Sequence, residues 1–499
     1  MILTKLPGRL LNNSQLKKRS FLCTYSISSH QIENDEEVYN SEEEHRNHLD
    51  AIATLPRGFS IGRTSFDFVP EENKDMNAKM NLTIIKLDEV TKNWGAVFTR
   101  NAACGSPVRI GKRMLKSKAN LGAIVVNNKI SNVCPAGAGG EEDARRVCDV
   151  VAKALNLSND DDDDDDGVVL PSSTGVIGWR LPVDEMIDAV PRAVQNIQSK
   201  SVLPAAEAIM TTDLYPKVRS SSSIGQTDAR LVGIAKGAGM IEPNLATMLV
   251  FLFTDLDIPQ EELQNMLKSA ADDSFNCISI DSDQSTSDTV VIVSSSKVPV
   301  KQPRDLKDFE IELRRVCADL SNDIVRNGEG VKHVMRVSVQ GAPTNIMARH
   351  IGKSVVNSPL TKCAIAGNDP NVGRVIGAVG SYVGNHIENH EKADELMQSC
   401  TLRIAGEVVF SNGSFELSTE KERRLVRALQ EAELYESVPE FVKNSSHVTY
   451  VPPVTFPRHD RVVNIDISFE SSYEYEGSAV VIGGDLTHEY VAENADYRS

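Results

Sequence analysis

At 499 residues, with 40% hydrophobic and only 5% aromatic content, the chain can bury a large core and is long enough for two or three subdomains. It contains no run of about eighteen apolar residues, so a soluble protein with no membrane partner is expected. Its formal charge of −17 is concentrated in seven carboxylates between Glu33 and Glu44 and seven consecutive aspartates, Asp160 to Asp166; the rest is near neutral, which argues against a nucleic-acid surface.

Residues 1–32 carry Lys5, Arg9, Lys17, Lys18 and Arg19 with no acid before Glu33. Basic residues that interrupt every apolar stretch predict an organellar transit peptide, for the mitochondrial matrix first and a plastid second; a basic tail that targets nothing is the plain alternative. Residues 33–54 read as an acidic linker, with ordered sequence starting near Leu55. Asn81–Leu87, Trp94–Thr99 and Gly122–Asn127 read as strands from their β-branched and aromatic residues. Glu141–Leu155 reads as a helix, because Ala144, Val147, Val151 and Ala154 share one face. The aspartate run behind it, an insertion over 159–167, reads as a solvated loop, since adjacent carboxylates repel and cannot be buried together. Ala205–Asp213 reads as a helix running into a turn.

Gly233–Asp255 is the stretch that invites chemistry. A glycine-rich loop with a lone Lys236 meets the apolar run Met248–Phe253, which reads as a buried strand, and Thr247 sits at the junction. Thr247 is, on position alone, an ordinary β-branched strand residue. If the chain is cut before it, however, the freed α-amine has a pKa of about 7.7 to 8.0 and can act as base for the hydroxyl of the same residue. The cut needs only that hydroxyl to attack the Ala246 carbonyl, giving an ester that water opens.

Beyond it, Leu263, Met266, Leu267 and Ala270 mark an amphipathic helix, and Phe309, Leu313, Val316, Cys317, Leu320 and Ile324 mark a second that ends at Asn327–Gly330. Between them the acid- and hydroxyl-rich run Asp281–Asp288 reads as turn chemistry. Asp369 and Arg374 are candidates for an internal ion pair. His386 and His390 have helical i, i+4 spacing but no third ligand, so a solvated face is expected and no metal. Residues 441–460, with three prolines, read as an inserted loop, and Val462–Ile467 as a partly alternating strand. The eight cysteines have no paired spacing and read as reduced core thiols.

Several of these runs together resemble the ornithine acetyltransferase family, the bifunctional glutamate N-acetyltransferases. The motifs that carry the resemblance are Phe98–Asn101 with Ser106–Val108, Ser172–Gly178, Ala205–Asp213, Lys236–Ile241 with Pro243 and Ala246–Leu249, Asp281–Asp288, Asn327–Gly330, Asn357–Lys362, Gly367–Asn371 and the terminal Tyr490–Ser499. They span roughly residues 55–499. The resemblance implies an α/β fold of two β-layers sandwiched between helices, self-cleaved into an alpha chain, 55–246, and a beta chain, 247–499, that begins with the threonine nucleophile. It implies transfer of acetyl from N2-acetylornithine to glutamate through an acetyl-Thr247 intermediate, in arginine biosynthesis. Acetyl-CoA stands as a second candidate donor, no bound cofactor is needed, and a heterotetramer of two alpha and two beta chains is the implied assembly.

By the same resemblance, substrate is held by Thr211 or Thr212, Lys236, Thr247, Glu329, Asn494 and the last residue, Ser499. The oxyanion positions fall on Ala136 and Gly137, where the family has Thr-Gly, so a hydroxyl donor is missing; Ser131 or a shifted amide is the candidate substitute. The loss of one such donor typically costs about a hundredfold to a thousandfold. Lys129 and Ser282 stand where the family has glycine, and Lys332–His333 where it has Thr-Lys. The rivals are an N-terminal-nucleophile amidohydrolase or aminopeptidase, whose acyl-threonine goes to water, and a catalytically impaired relative that only binds.

Overall fold

The computed structural model describes residues 39, 41–137, 139–157, 167–242, 248–435, 440–444, 447–451, 460–470 and 475–495. The expectations placed on residues 1–32, on the aspartate run, on Ala246 and Thr247 and on Ser499 lie outside the described residues.

The apolar run after Thr247 becomes the strand Leu249–Leu256, all eight of whose residues are buried. A strand covered on both faces needs continuous rather than alternating hydrophobicity. Leu249, Phe251 and Phe253 enter one core cluster and Val250 and Leu252 another. The strand is the middle of a five-stranded sheet ordered Trp94–Phe98, Thr289–Val298, Leu249–Leu256, Arg230–Lys236, Lys217–Ser222. It runs parallel to Thr289–Val298 and antiparallel to Arg230–Lys236.

A four-stranded sheet, ordered Phe59–Phe68, Ala78–Thr91, Leu121–Asn127, Val169–Ser173, packs on the Phe251 face. The Phe59 and Phe253 ring centroids stand 5.3 Å apart across that interface. Burying one such ring fully contributes roughly 1.5–3 kcal/mol. Helices Gly140–Ala154 and Val183–Gln195 cover the outer face of the four-stranded sheet through Val147, Val151, Met186 and Val190. Gln260–Asp273 and Pro303–Arg326 cover the outer face of the other through Leu263, Leu267, Phe309 and Val316. Gly233 permits that last contact: a Cβ there would lie 2.8 Å from Leu320 Cδ1. Two β-layers thus lie between helices, as expected.

The sequence did not disclose a third sheet of seven strands, ordered Ser414–Phe415, Glu407–Ser411, Cys400–Ile404, Val463–Phe469, Val334–Ala342, Gly477–Gly484, Ile278–Ser279. Its core is shared with helices Asn345–Val356, Val372–His386, His390–Gln398 and Thr419–Glu431. Val463–Phe469 alternates buried with exposed or half-buried positions along its whole length.

Some expectations are corrected. Order begins before Leu55, with a helix at Glu42–Ile52 capped by Ser41, because Leu49 and Ala53 share a buried stripe that the surrounding acids conceal. Residues 441–460 are not all loop, since Glu440–Asn444 pairs with His447–Val451 as a hairpin. His386 ends one helix and His390 begins the next, so the i, i+4 spacing does not place them on one helix; His386 stacks on Tyr382 with centroids 4.1 Å apart. Arg374 donates to the Leu360 carbonyl at 2.9 Å and Asp369 accepts from Asn371, so the expected pair is absent from the ion pairs of the described residues. Cys134 and Cys363 are exposed, whereas Cys148, Cys277, Cys317 and Cys400 are the core thiols.

Candidate active site

Glu329 stands at the centre of the site. Helix Pro303–Arg326 stops at Asn327, and the following turn is fixed by Glu329 N–H donating to the Ala238 carbonyl at 2.8 Å. The carboxylate lies flat on Gly239, where a Cβ would come within 2.2 Å of Oε2. Thr212 Oγ1 donates to Oε1 at 2.7 Å and Asn494 Nδ2 to Oε2 at 2.8 Å. Burial pushes the Glu329 pKa up, against the pull of these two hydrogen bonds and of the Lys236 charge. A buried carboxylate held by neutral donors keeps acceptor capacity for a cation.

Lys236 ends strand Arg230–Lys236 and is 3% exposed, its Nζ 3.3 Å from Thr211 Oγ1. Burial lowers its pKa, and the carboxylates of Asp213, Asp288 and Glu329 oppose that shift. Asp213 is the buried counter-charge. Its Oδ1 accepts Gly237 N–H at 2.8 Å and Lys217 Nζ at 2.5 Å, and its Oδ2 accepts Thr211 N–H at 3.0 Å. Burial works to raise its pKa, but the Lys217 and Lys236 ammonium groups prevail and hold it at about 2. The helix-into-turn expectation for Ala205–Asp213 holds as well, with the helix at Leu203–Ala208.

The carboxyl-terminal helix His488–Ala495 brings in Asn494. It docks through Thr487 Oγ1, which donates to the Gly330 carbonyl at 2.6 Å, and through Tyr490, whose hydroxyl donates to Asp281 Oδ2 at 3.2 Å. Gly330 has φ of 62°, and a Cβ there would lie 2.3 Å from Tyr490 N, so both its backbone and the close helix require glycine. At the substituted Lys332–His333, the Lys332 N–H and the His333 ring both engage Asp485, at 2.9 and 2.8 Å, which anchors the start of this terminal segment.

The structure thus unites Thr211, Thr212, Lys236, Glu329 and Asn494. It shows no contact from Ala136 or Gly137 to that group among the described residues. Both are exposed in a turn, and Gly137 has φ of 82°. Ser131 is not the substitute donor: it is buried and gives its hydroxyl to the Val176 carbonyl at 2.8 Å. Lys129 adopts φ of 83° and Ser282 φ of 63°, so both follow a path that glycine takes freely. For a residue with a Cβ such a conformation costs roughly 1–2 kcal/mol.

Sequence reasoning passed over Asp213, Lys217, Asp281 and Asp288 as site residues. Asp213, Asp281 and Asp288 stand inside motifs that carry the resemblance, in polar runs that read equally well as turns.

A family model described as the ArgJ family matches residues 69–499. The glutamate N-acetyltransferase of Methanocaldococcus jannaschii is 33% identical over 453 residues, covering 90% of this chain and 99% of that protein. The arginine biosynthesis bifunctional protein ArgJ 2 of Clostridium acetobutylicum is 40% identical over 310 residues, covering 62% of this chain and 76% of that protein. Among solved structures, arginine biosynthesis bifunctional protein ArgJ of Bacillus halodurans is 27% identical, with a TM-score of 0.38, over 49% of this chain and 97% of that one.

Proposed function

The chain belongs to the ArgJ family, and from that membership we propose that it moves acetyl from N2-acetylornithine to glutamate by way of an ester on Thr247. It is an ornithine acetyltransferase/glutamate N-acetyltransferase of arginine biosynthesis. Thr247 Oγ first attacks the Ala246 carbonyl carbon, the peptide C–N bond breaks, and water opens the ester to leave an Ala246 carboxylate and a free Thr247 amine. In turnover that amine takes the hydroxyl proton while Oγ attacks the acetyl carbonyl of the donor. The amide C–N bond breaks, the proton passes to the departing ornithine α-amine, and acetyl stays on Thr247. Glutamate then attacks the ester through its own α-amine, and the hydroxyl is restored. Water is consumed only in the initial cut.

The single observation supporting this reading is the Glu329 carboxylate, buried and held by Thr212 and Asn494. It suits the side-chain ammonium of ornithine, with Thr211 and Lys236 beside it for a substrate carboxylate. Ser499 is assigned to the same substrate cleft, and Ala136 and Gly137 to the oxyanion. Acetyl-CoA is the second donor to try. Steady ornithine release that requires glutamate supports the transferase; the same release without glutamate identifies a hydrolase instead.

Two alpha chains, 55–246, and two beta chains, 247–499, are the proposed assembly, and a native mass of one alpha–beta pair would refute it. The basic residues 1–32 support the mitochondrial matrix as destination, with a plastid as the alternative. A mature chain in cells that still begins at Met1 would count against import.

A further inference from the structure

The two end carboxylates of the run Asp281–Asp288 accept backbone amides that lie, in sequence, on the two sides of the Ala246–Thr247 bond. Upstream, Asp281 Oδ2 accepts Met240 N–H at 2.5 Å and Oδ1 accepts Ile241 N–H at 2.8 Å. Downstream, Asp288 Oδ1 accepts Met248 N–H at 2.8 Å, and the Met248 carbonyl accepts Thr289 N–H at 3.1 Å. The run is itself held by four hydrogen bonds to its carbonyls. Asn101 Nδ2 donates to the Gln284 carbonyl, Thr99 Oγ1 to that of Ser285, Gly105 N–H to that of Thr286 and Thr99 N–H to that of Asp288, all between 2.7 and 3.1 Å. Met240, the first residue held, has φ of 55°, a conformation a methionine keeps only when its surroundings impose it.

We propose that Asp281 and Asp288 are positioning residues that hold the backbone on either side of the Ala246–Thr247 bond, both before the cut and after it. The proposal rests on the Thr247 reading above. After the cut, Asp288 and Met248 are on the same chain, next to the new amino terminus. Asp281 remains on that chain while Met240 and Ile241 belong to the other, so its two hydrogen bonds become a contact between chains near the new carboxyl terminus. The Tyr490 hydroxyl on Asp281 Oδ2 ties the same point to the helix that carries Asn494. One short run therefore holds Met240, Ile241, Met248 and the helix that carries Asn494.

The two carboxylates differ in a way that an amide replacement reads. Asp288 uses one oxygen on Met248, and its Oδ2 is buried with no hydrogen-bond partner among the described residues. Asp288→Asn therefore keeps the acceptor, whereas Asp288→Ala removes it. Asp281 uses both oxygens, so Asp281→Asn surrenders one of two amides.

The full chain and these three variants are expressed alone. The cut fraction is followed by intact mass, the fold by thermal melting, and kcat and KM for N-acetylornithine on cut protein. Asp288→Ala is expected to slow cutting and lower kcat by about a hundredfold, the scale of a misplaced reacting group, with KM changed little. Asp288→Asn should restore most of both, and Asp281→Asn should fall between. Asp288→Ala that cuts and turns over like the unaltered chain overturns the proposal. If Asp288→Ala lacks a cooperative melt, Asp281→Asn decides, and unaltered kinetics in that variant overturn it. An unaltered chain that stays uncut removes the Thr247 reading itself, and the proposal with it.

Discussion

Thr212 and Glu329 are separated by 117 positions in the chain, yet the threonine hydroxyl donates to the carboxylate at 2.7 Å, and Asn494 closes on its other oxygen at 2.8 Å. The proposed substrate receptor therefore draws on both proposed chains, with Thr212 before the cut and Glu329 and Asn494 after it. No one segment of sequence could make it alone.

Glu329→Gln keeps the shape of that receptor and removes its charge. The loss of a charge-assisted hydrogen bond to a substrate ammonium, about 2 kcal/mol, lowers kcat/KM for N-acetylornithine roughly thirtyfold. Because burial disfavours the ionised Glu329 side chain, the same change leaves the melting temperature level or higher. Steady-state kinetics paired with a melt check both, and a stable variant with unaltered kcat/KM removes Glu329 from substrate binding.

Gly330→Ala tests the docking of the terminal helix. The added methyl would meet Tyr490 N at 2.3 Å and also disfavours a φ of 62°. The helix His488–Ala495 should lift while the sheets stay folded. Faster hydrogen exchange over that helix, with kcat/KM lowered about tenfold or more and a melt still cooperative, is the expected result. Unchanged exchange contradicts it.

Asp213 makes a pH prediction. Its folded pKa, about 2, lies below the ordinary 3.8, so it contributes stability that is present above 3.8 and lost as pH falls through 2. Asp213→Asn leaves Lys217 buried without its counter-charge and should cost about 3 kcal/mol near neutral pH. That gap to the unaltered chain should narrow between pH 4 and 2 as both states of the wild-type carboxyl become protonated. Denaturant melts across that range give the answer; a gap that widens in acid reverses the assignment.

Lys362 makes a second pH prediction of the same sign, at the alkaline end. Burial depresses its pKa from 10.5 to about 8, although its ammonium donates to the Ile280 carbonyl at 2.6 Å and to that of Gly484. Between those values the unfolded chain binds the extra proton, so this group makes stability rise with pH by about 1 kcal/mol per unit. Lys362→Met should flatten that rise, and an identical slope in the variant excludes Lys362 as its source.

Local patterns foretold local structure. The unbroken apolar run after Thr247 gave a strand buried on both faces, and the stripe from Phe309 to Ile324 gave a helix. What the sequence hid was pairing over distance. The seven-stranded sheet joins Ile278–Ser279 to Gly477–Gly484 and Val334–Ala342 to Val463–Phe469, partners that no single window contains. Asp213, Asp281 and Asp288 sat in plain view in polar runs, but turn chemistry accounts equally well for such runs until Gly237, Met240 and Met248 are seen donating to them. The Glu42–Ile52 helix was obscured for the opposite reason, because its charges are plain while its buried Leu49 is one residue among many acids.

An intact mass spectrum of the purified chain is the most direct test of the proposed mechanism. Two fragments, one ending at Ala246 and one beginning at Thr247, are predicted for the unaltered protein, and a single uncut, inactive chain for Thr247→Ala. A full-length polypeptide that transfers acetyl without ever being cut would contradict it.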